Sequence, residues 1–551
     1  MTIADVILVG GKLINVNSRT IDSIDVGILD GKFTFEATGA KKFIELGGSF
    51  IAPGFIDAHM HVESTMLPPS SFVPLALPHG TTSAIFDPHE IANVLGIKGI
   101  QLILDDADGL PFDSFFTASS CVPASPLETS GANLLSNDLE PLFEDERVIA
   151  LAEMMNFPGV LQEDIEVMKK INMGLQHGKI DGHCPGLRGN DLQKYIDAGI
   201  SSDHESTTAE EAIEKLNRGM TIYIREGSAA KNLEALLPII TPENANQICF
   251  CTDDRHPADL HLTGHIDHIV RKAIALGLDP VLAICIATKH PASHYNLEQL
   301  GSIEEGKLAN FIIFDNLEEP KPKQTWHRGT LVAEKGKTIP NIQCCTDWSP
   351  ALNSVHLPSS ITRESFDIKV ESELVRVIGL VPGQLFTEEL HLPRTDEDVL
   401  NMAVIERHHN TGNIGLGLVK GFQFKNGSIA STVGHDAHNI AVVGDNCGDM
   451  YIAAQALAAC GGGQCVVSNG QVLALLPLPI AGLMSEAPPT EVIAQQKTVL
   501  DAIHSLGCPM EDPFMPLSFL PLSVIPKLKL SDLGLVDVDQ FAIVPLEVCE
   551  S

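Results

Sequence analysis

Two histidines stand one residue apart in the stretch IAPGFIDAHMHVE, residues 51–63: His59 and His61. The apolar run before them reads as a short strand. In an extended strand alternate side chains point to the same side, so both imidazoles face one way and can grip one divalent ion. Asp57 shares that parity, where a carboxylate can orient a ligating imidazole. Alone, the pair also fits two surface histidines on a polar strand end. Further ligand-type residues follow at intervals, each at the end of an apolar run: Glu153 in ALAEMMNFPG, His183 in IDGHCPG, His204 in SSDHEST and Asp253 in FCTDDRH. Singly each has a plainer role, Glu153 as an ion-pair partner or His183 as a helix cap. Together, four imidazoles and two carboxylates suit two divalent metals, because a carboxylate with two oxygens can bridge them. Mixed imidazole and carboxylate ligation suits Zn, Fe or Mn and does not choose among them.

The elements that must position these groups alternate between short apolar runs and helix-like segments. The predicted strands are Gly54–His61, Thr81–Pro88, Asp113–Cys121, Val148–Met155, Ile180–Cys184, Ser201–His204, Met220–Glu226 and Ile248–Asp253. Between them lie segments of helical spacing such as DLQKYIDAG and TTAEEAIEKLNRG, the second opening on Thr207 and Thr208 before acidic residues. Eight β/α units across residues 53–299 predict a closed (β/α)8 barrel, although an open parallel sheet gives the same alternation. The ligand-type residues fall at the carboxyl ends of the strands, the face where barrel active sites lie. VILVGGKLINV, IDVGILDGKF and KKFIELGGSFIAPG read as strands of a small sheet. LGSIEEGKLANFIIFDNL, from Leu300 to Leu317, has the same pattern, so residues 1–52 and 300–340 are expected to form one composite β domain around the barrel. Pro and Ser rise over 341–389, a predicted linker, and 390–551 reads as a C-terminal α+β domain with hairpins. There His435, Asp436 and His438 in GHDAHN have spacing that suits a further metal site. A structural or interdomain role is the favoured reading; if the domain folds over the barrel mouth, these residues close the pocket.

The chain has 551 residues, more than one ordinary core, so two or three domains are expected. Composition is 44% hydrophobic and 19% charged, which is globular rather than disordered. Asp plus Glu number 71 against 36 Lys plus Arg, a formal charge of −35. That argues against nucleic-acid backbones and anionic membranes as partners. Twelve cysteines contain no CxxC pair, so neither a zinc ribbon nor a disulfide framework is indicated, and free thiols in a reducing cytoplasm are expected. MTIADVILVGGKLINVNS lacks the pattern of a signal peptide. No run of about 18 apolar residues suits a membrane span.

Along nearly its whole length the chain resembles the adenine deaminases of the amidohydrolase superfamily. The matching segments include PGFIDAHMHVESTM, LPHGTTSAIFDPHEIANVLG, LAEMMNFPGV, GHCPGLRGNDLQKYIDAGISSDHESTT, REGSAAKNLEALLP and CTDDRHPADLHLTGHIDHIVRKAIALG, with HHNTGNIGLGLVKGF, GHDAHNI and LPLPIAGLMS in the C-terminal part. His-x-His marks only the superfamily; DPHEIANVLG, SDHEST and the C-terminal segments are more specific. The resemblance implies a (β/α)8 barrel with a composite β domain and a C-terminal domain, and hydrolysis of adenine to hypoxanthine and ammonia. It implies two divalent metals, Mn or Fe with Zn possible, in a cytoplasmic homodimer of purine salvage or catabolism. His59 and His61 would bind one metal with Asp253 beside it, and His183 and His204 the other. Glu153 would be the bridge, where many relatives use a carboxylated lysine.

The expected chemistry is attack on C6 by a water that two metals have made acidic, with Asp253 moving its proton to the leaving amine. A second acid near the ring is required. His89 and Glu90, at the end of the second strand, are the candidates. Arg225 and Glu226, at the end of the seventh, are candidate substrate contacts; an ion-pair network would use the same four residues. Strand parity lets only one of Asp253 and Asp254 face the barrel centre, and Asp253 is favoured. The zinc deaminase motif with H-x-E and P-C-x-x-C is absent. The alternatives are another superfamily enzyme, such as a guanine deaminase or a dihydroorotase-like hydrolase, and a barrel scaffold without chemistry. All six ligand-type residues being present weighs against the scaffold.

Overall fold

The sheet that carries the predicted ligands closes on itself. In the computed structural model, which describes residues 2–548 apart from 229, five parallel strands lie side by side. They are Phe55–Met60, Thr81–Phe86, Asp113–Ala118, Val148–Met154 and Lys179–Gly182. Three more, Ser202–Asp203, Thr221–Arg225 and Ile248–Cys251, continue parallel. Two seams complete the ring. The Ser201 N–H donates to the Ile180 carbonyl at 3.0 Å. At the other seam the Asp253 N–H donates to His59 O and the His61 N–H to Asp253 O, both at 3.1 Å. The architecture is therefore a (β/α)8 barrel, and the open sheet is excluded.

Parity sorts the strand residues. Ile222, Ile224, Ile248 and Phe250 point outward and pack on the helix Ile266–Ala275 through Ile266, Ile269 and Val270. Tyr223, Cys249 and Cys251 point inward. There the Tyr295 hydroxyl donates to Asp181 Oδ2 at 2.7 Å and the Tyr223 hydroxyl to Asp181 Oδ1 at 3.1 Å, filling the barrel below the site with a satisfied polar cluster.

Phe50–Pro53 pairs in parallel with Lys12–Asn15 and antiparallel with Phe311–Phe314, so segments before and after the barrel share one sheet. Its strand runs into the first barrel strand through Gly54, where a Cβ would lie 2.2 Å from Thr82 Oγ1; only glycine allows that approach.

The C-terminal part is an eight-stranded sheet with a helix on each face, Cys447–Cys460 on one and Pro489–Ser505 on the other. Its strands Val375–Leu380 and Thr387–Leu392 lie in and across the stretch read from sequence as a linker, where Trp348, Ala351 and Phe366 are also buried. The Pro and Ser residues of that stretch are themselves exposed or half-buried. Among the described residues no helix is long and apolar enough to cross a membrane.

Candidate active site

The barrel ladder ends before four of the six ligand-type residues, while His59 and Glu153 each hold the last place but one in their strands. The fifth strand stops at Gly182, the sixth at Asp203 and the eighth at Cys251. His183, His204 and Asp253 therefore sit on the first turns of the loops, as does His61 after the first strand. Asp253 has φ +58°, a left-handed conformation unusual for a non-glycine residue. Parity fails at that turn: Asp253 and Asp254 both line the cavity, and Asp254 accepts a hydrogen bond from Ser64 Oγ.

The six predicted ligands converge, all at 5% exposure or less. Glu153 stands at their centre. Its Oε1 is 3.6 Å from His59 Nε2 and 3.3 Å from His61 Nε2. Its Oε2 is 2.6 Å from His183 Nδ1 and 3.2 Å from His204 Nε2. Each oxygen thus faces one pair of imidazoles. Asp253 Oδ1 lies 3.6 Å from His59 Nε2 and 3.2 Å from His61 Nε2, on the side of the first pair only. Both ring nitrogens of His59, with Nε2 of His183 and Nδ1 of His204, lack a hydrogen-bond partner although buried. Buried polar atoms are rarely left so. Borderline nitrogen and oxygen donors arranged in this way fit divalent cations.

The charges agree. Burial opposes a charged ring at His59, yet the Asp253 and Glu153 carboxylates outweigh it and hold its pKa up at about 10. Burial likewise opposes ionisation of Glu153, and His204, His183 and His59 overcome it, holding the carboxyl well below its usual range. The two carboxylates that favour protons on these rings favour any cation placed among them. Behind His204, buried Lys215 donates to Asp203 at 2.8 Å and to Glu211 at 2.7 Å, fixing the turn that presents the ring.

Asp57, expected to orient a ligating ring, has another task. It accepts from the Thr252 hydroxyl at 2.5 Å and from the Thr252 N–H at 3.1 Å, and lies 3.1 Å from His265 Nε2. It braces the end of the eighth strand.

Of the substrate and proton-transfer candidates, three reach the cavity and one does not. Arg225 lines it, donating to both oxygens of Glu205 and, at 2.7 Å, to Asp253 Oδ2. His89 Nδ1 is 3.3 Å from Asp87 Oδ2, and His89 Nε2 is 3.4 Å from Glu90 Oε1. Glu90 is gripped from the C-terminal domain, by His435 Nδ1 at 2.6 Å on Oε1 and by His438 Nε2 on Oε2. Glu226 faces away from the cavity and accepts from Lys272 at 2.7 Å, because it follows Arg225 by one residue and takes the opposite side of the strand.

The sequence did not single out Glu205, Asp87, Met155 or the C-terminal apolar wall of the cavity. Glu205 adjoins His204, and Asp87 stands two residues before His89, so both had a local signal. The wall, made by Leu385, Phe519, Leu522 and Ile525, had none. Phe519 stacks on the His435 ring at 4.3 Å between centroids. The cavity so formed has the barrel as floor and the C-terminal domain as roof.

Barrel and ligand cluster together define a metal-dependent amidohydrolase, and residues 50–338 match the amidohydrolase family. Residues 384–542 match the adenine deaminase C-terminal domain. The adenine deaminase of Desulfatibacillum aliphaticivorans is 44% identical over 554 residues, covering 98% of this chain and 97% of the relative. That of Methanothrix thermoacetophila is 45% identical over 555 residues, with the same coverage. The chain belongs to the adenine deaminase family.

Proposed function

We propose that the protein hydrolyses adenine to hypoxanthine and ammonia at a site that holds two divalent metal ions. The observation that carries the metal count is the division of Glu153, one oxygen toward His59 and His61 and the other toward His183 and His204. Relatives named adenine deaminases across 98% of the chain support the substrate. In this reading His59, His61 and Asp253 hold one ion, His183 and His204 the other, and Glu153 both. When bound, the ions would act as Lewis acids and bring the pKa of water at the site into the neutral range. Mn or Fe is the metal we favour.

The chain's own groups do the rest. Asp253 takes a proton from the attacking water and delivers it to N6, which leaves as ammonia when the C6–N6 bond breaks; the second water proton leaves the new C6 oxygen and restores the group that protonated the ring. Arg225 holds Asp253 Oδ2, which leaves Oδ1 turned to His59 and His61. Arg225 and the nearby imidazoles also overcome the burial of Asp253 and hold it well below the usual carboxylate range, so it begins as a base. Attack at C6 requires a proton on the pyrimidine ring. Glu90 is ill suited to give it: burial would raise its pKa, but His435, His438 and His89 surround it and keep it ionised. His89, held charged by Glu90 and Asp87 against its burial, is the donor in this reading, and Glu90 is its counter-ion.

Eleven free cysteines among the described residues support a reducing, cytoplasmic setting. The function is tested by ammonia release from a panel of purines and pyrimidines, using protein loaded with Mn or Fe. Adenine should be the preferred substrate. No release from adenine, or a stronger preference for guanine or a cyclic amide, overturns the reading.

A further inference from the structure

We infer that Asp436, from the C-terminal domain, accepts a hydrogen bond from the imidazole N–H of the purine and thereby selects the free base over N9-substituted purines. The inference rests on the deaminase reading and deepens it. Asp436 is 2% exposed and lines the cavity. Its Oδ2 has no hydrogen-bond partner although buried. His89 Nε2 stands 3.8 Å from it, beyond hydrogen-bond range. Its Oδ1 is 3.9 Å from His435 Nδ1, a nitrogen already committed to Glu90 at 2.6 Å.

A buried carboxylate oxygen without a donor is costly to keep, so one left beside a ligand cavity marks the place of a ligand's donor. The donors of adenine are few. Its amine is directed at Glu153 and Asp253 by the reaction itself, and N1 and N3 of the neutral ring carry no hydrogen. The remaining donor is the imidazole N–H, on N7 or N9. Around Asp436 the roof is apolar through Phe519, Leu522 and Ile525, and its one other polar side chain at the cavity, His435, has its Nδ1 committed to Glu90. A substituent on N9 removes that N–H and leaves N7 a bare acceptor. A site built to hydrogen-bond a substrate N–H rejects the analogue lacking it far more strongly than an apolar surface rejects an added methyl.

The test compares adenine with 9-methyladenine in the metal-loaded protein and in Asp436→Ala and Asp436→Asn, with metal content measured in each. In Asp436→Ala, kcat/KM for adenine should fall about 10–100-fold, mostly through KM, while that for 9-methyladenine stays within about 3-fold. Asp436→Asn, which keeps an uncharged acceptor, should lie between. Two metals per chain should remain. An equal loss for both substrates, no loss for adenine, or the departure of a metal ion overturns the assignment. Should neither variant fold, the unaltered protein still decides: 9-methylhypoxanthine should inhibit at least about 10-fold more weakly than hypoxanthine, and equal inhibition overturns it. Absence of adenine turnover in the unaltered protein overturns the deaminase reading itself; adenine turnover with an unchanged substrate ratio in the variants overturns only Asp436.

Discussion

The floor of the cavity and its roof are built by different means. Each of the six predicted ligands on the floor stands within two residues of the end of a barrel strand, so the parallel ladder fixes its backbone and a buried pair such as Lys215 and Asp203 fixes its turn. The roof is assembled from distant segments tied together by single side chains. Buried Lys529 donates to Leu385 O at 2.9 Å and to Phe519 O at 3.0 Å, joining two parts of the apolar wall. The Thr432 hydroxyl donates to Gly482 O at 2.7 Å near the His435 loop. Metal ligation tolerates only small errors of distance, which a ladder supplies; an apolar wall tolerates more. In the reading proposed above, bond-breaking chemistry rests on the floor, and substrate choice with the setting of Glu90 on the roof.

The sharpest way to break that division is at its centre. Glu153→Gln keeps the shape but removes the charge that both histidine pairs share. Metal content should fall for both sites together and turnover by at least about 10⁴-fold. Elemental analysis showing two ions with normal turnover would contradict the shared carboxylate. Asp253→Asn comes next. It retains an oxygen but not the base, so kcat should fall ~10²–10⁴-fold, about 3–5 kcal/mol, with KM less affected. Asp254→Asn should cost only a few-fold, because Asp254 touches Ser64 rather than His59, His61 or Arg225. Kinetics of the two variants at matched metal content decide; a crippled Asp254→Asn would exchange their roles.

A roof variant sharpens the contrast. His438→Ala removes one of the two C-terminal imidazoles on Glu90 and leaves every floor ligand in place. Metal content should stay at two. Turnover should fall about 10-fold to 100-fold as the Glu90 and His89 pair loosens, and stability by about 1–3 kcal/mol because a buried carboxylate loses a donor. Metal loss in this variant would mean that roof and floor form one ligand network.

The two regions also differ in what the sequence disclosed. His59 and His61 followed from strand parity, and the alternation of apolar runs with helical segments disclosed the barrel. Asp253 did not follow from parity, since its left-handed turn breaks the alternation; the resemblance placed it. The partners of Glu90 lie 345 and 348 residues away, and no local period points across such a distance. GHDAHN was legible as a cluster able to close a pocket, but not as a clamp on Glu90. Phe519, Leu522 and Ile525 read like any apolar run, because a wall facing a ligand and a wall facing a core have the same composition.

The smallest expected effect belongs to Glu226, and it tests parity where parity holds. Arg225 ends the seventh strand pointing inward and Glu226 follows pointing outward. Glu226 Oε1 accepts from Lys272 at 2.7 Å, its Oε2 has no partner, and Lys272 is 26% exposed on a helix outside the barrel. Glu226→Gln keeps an acceptor for Lys272 and loses the charge. The loss of a partly screened pair should cost about 0.5–1.5 kcal/mol of stability, a small shift in the thermal melt. With no contact to the cavity, kcat/KM for adenine should stay within about 3-fold of the unaltered protein. Arg225→Lys is the control on the inward side. It cannot hold both oxygens of Glu205 and Asp253 Oδ2 in one planar fork, so it should lose about 10-fold to 100-fold in kcat. If instead Glu226→Gln loses as much as Arg225→Lys at equal metal content, Glu226 turns inward during catalysis, and the seventh strand supplies two groups to the floor rather than one.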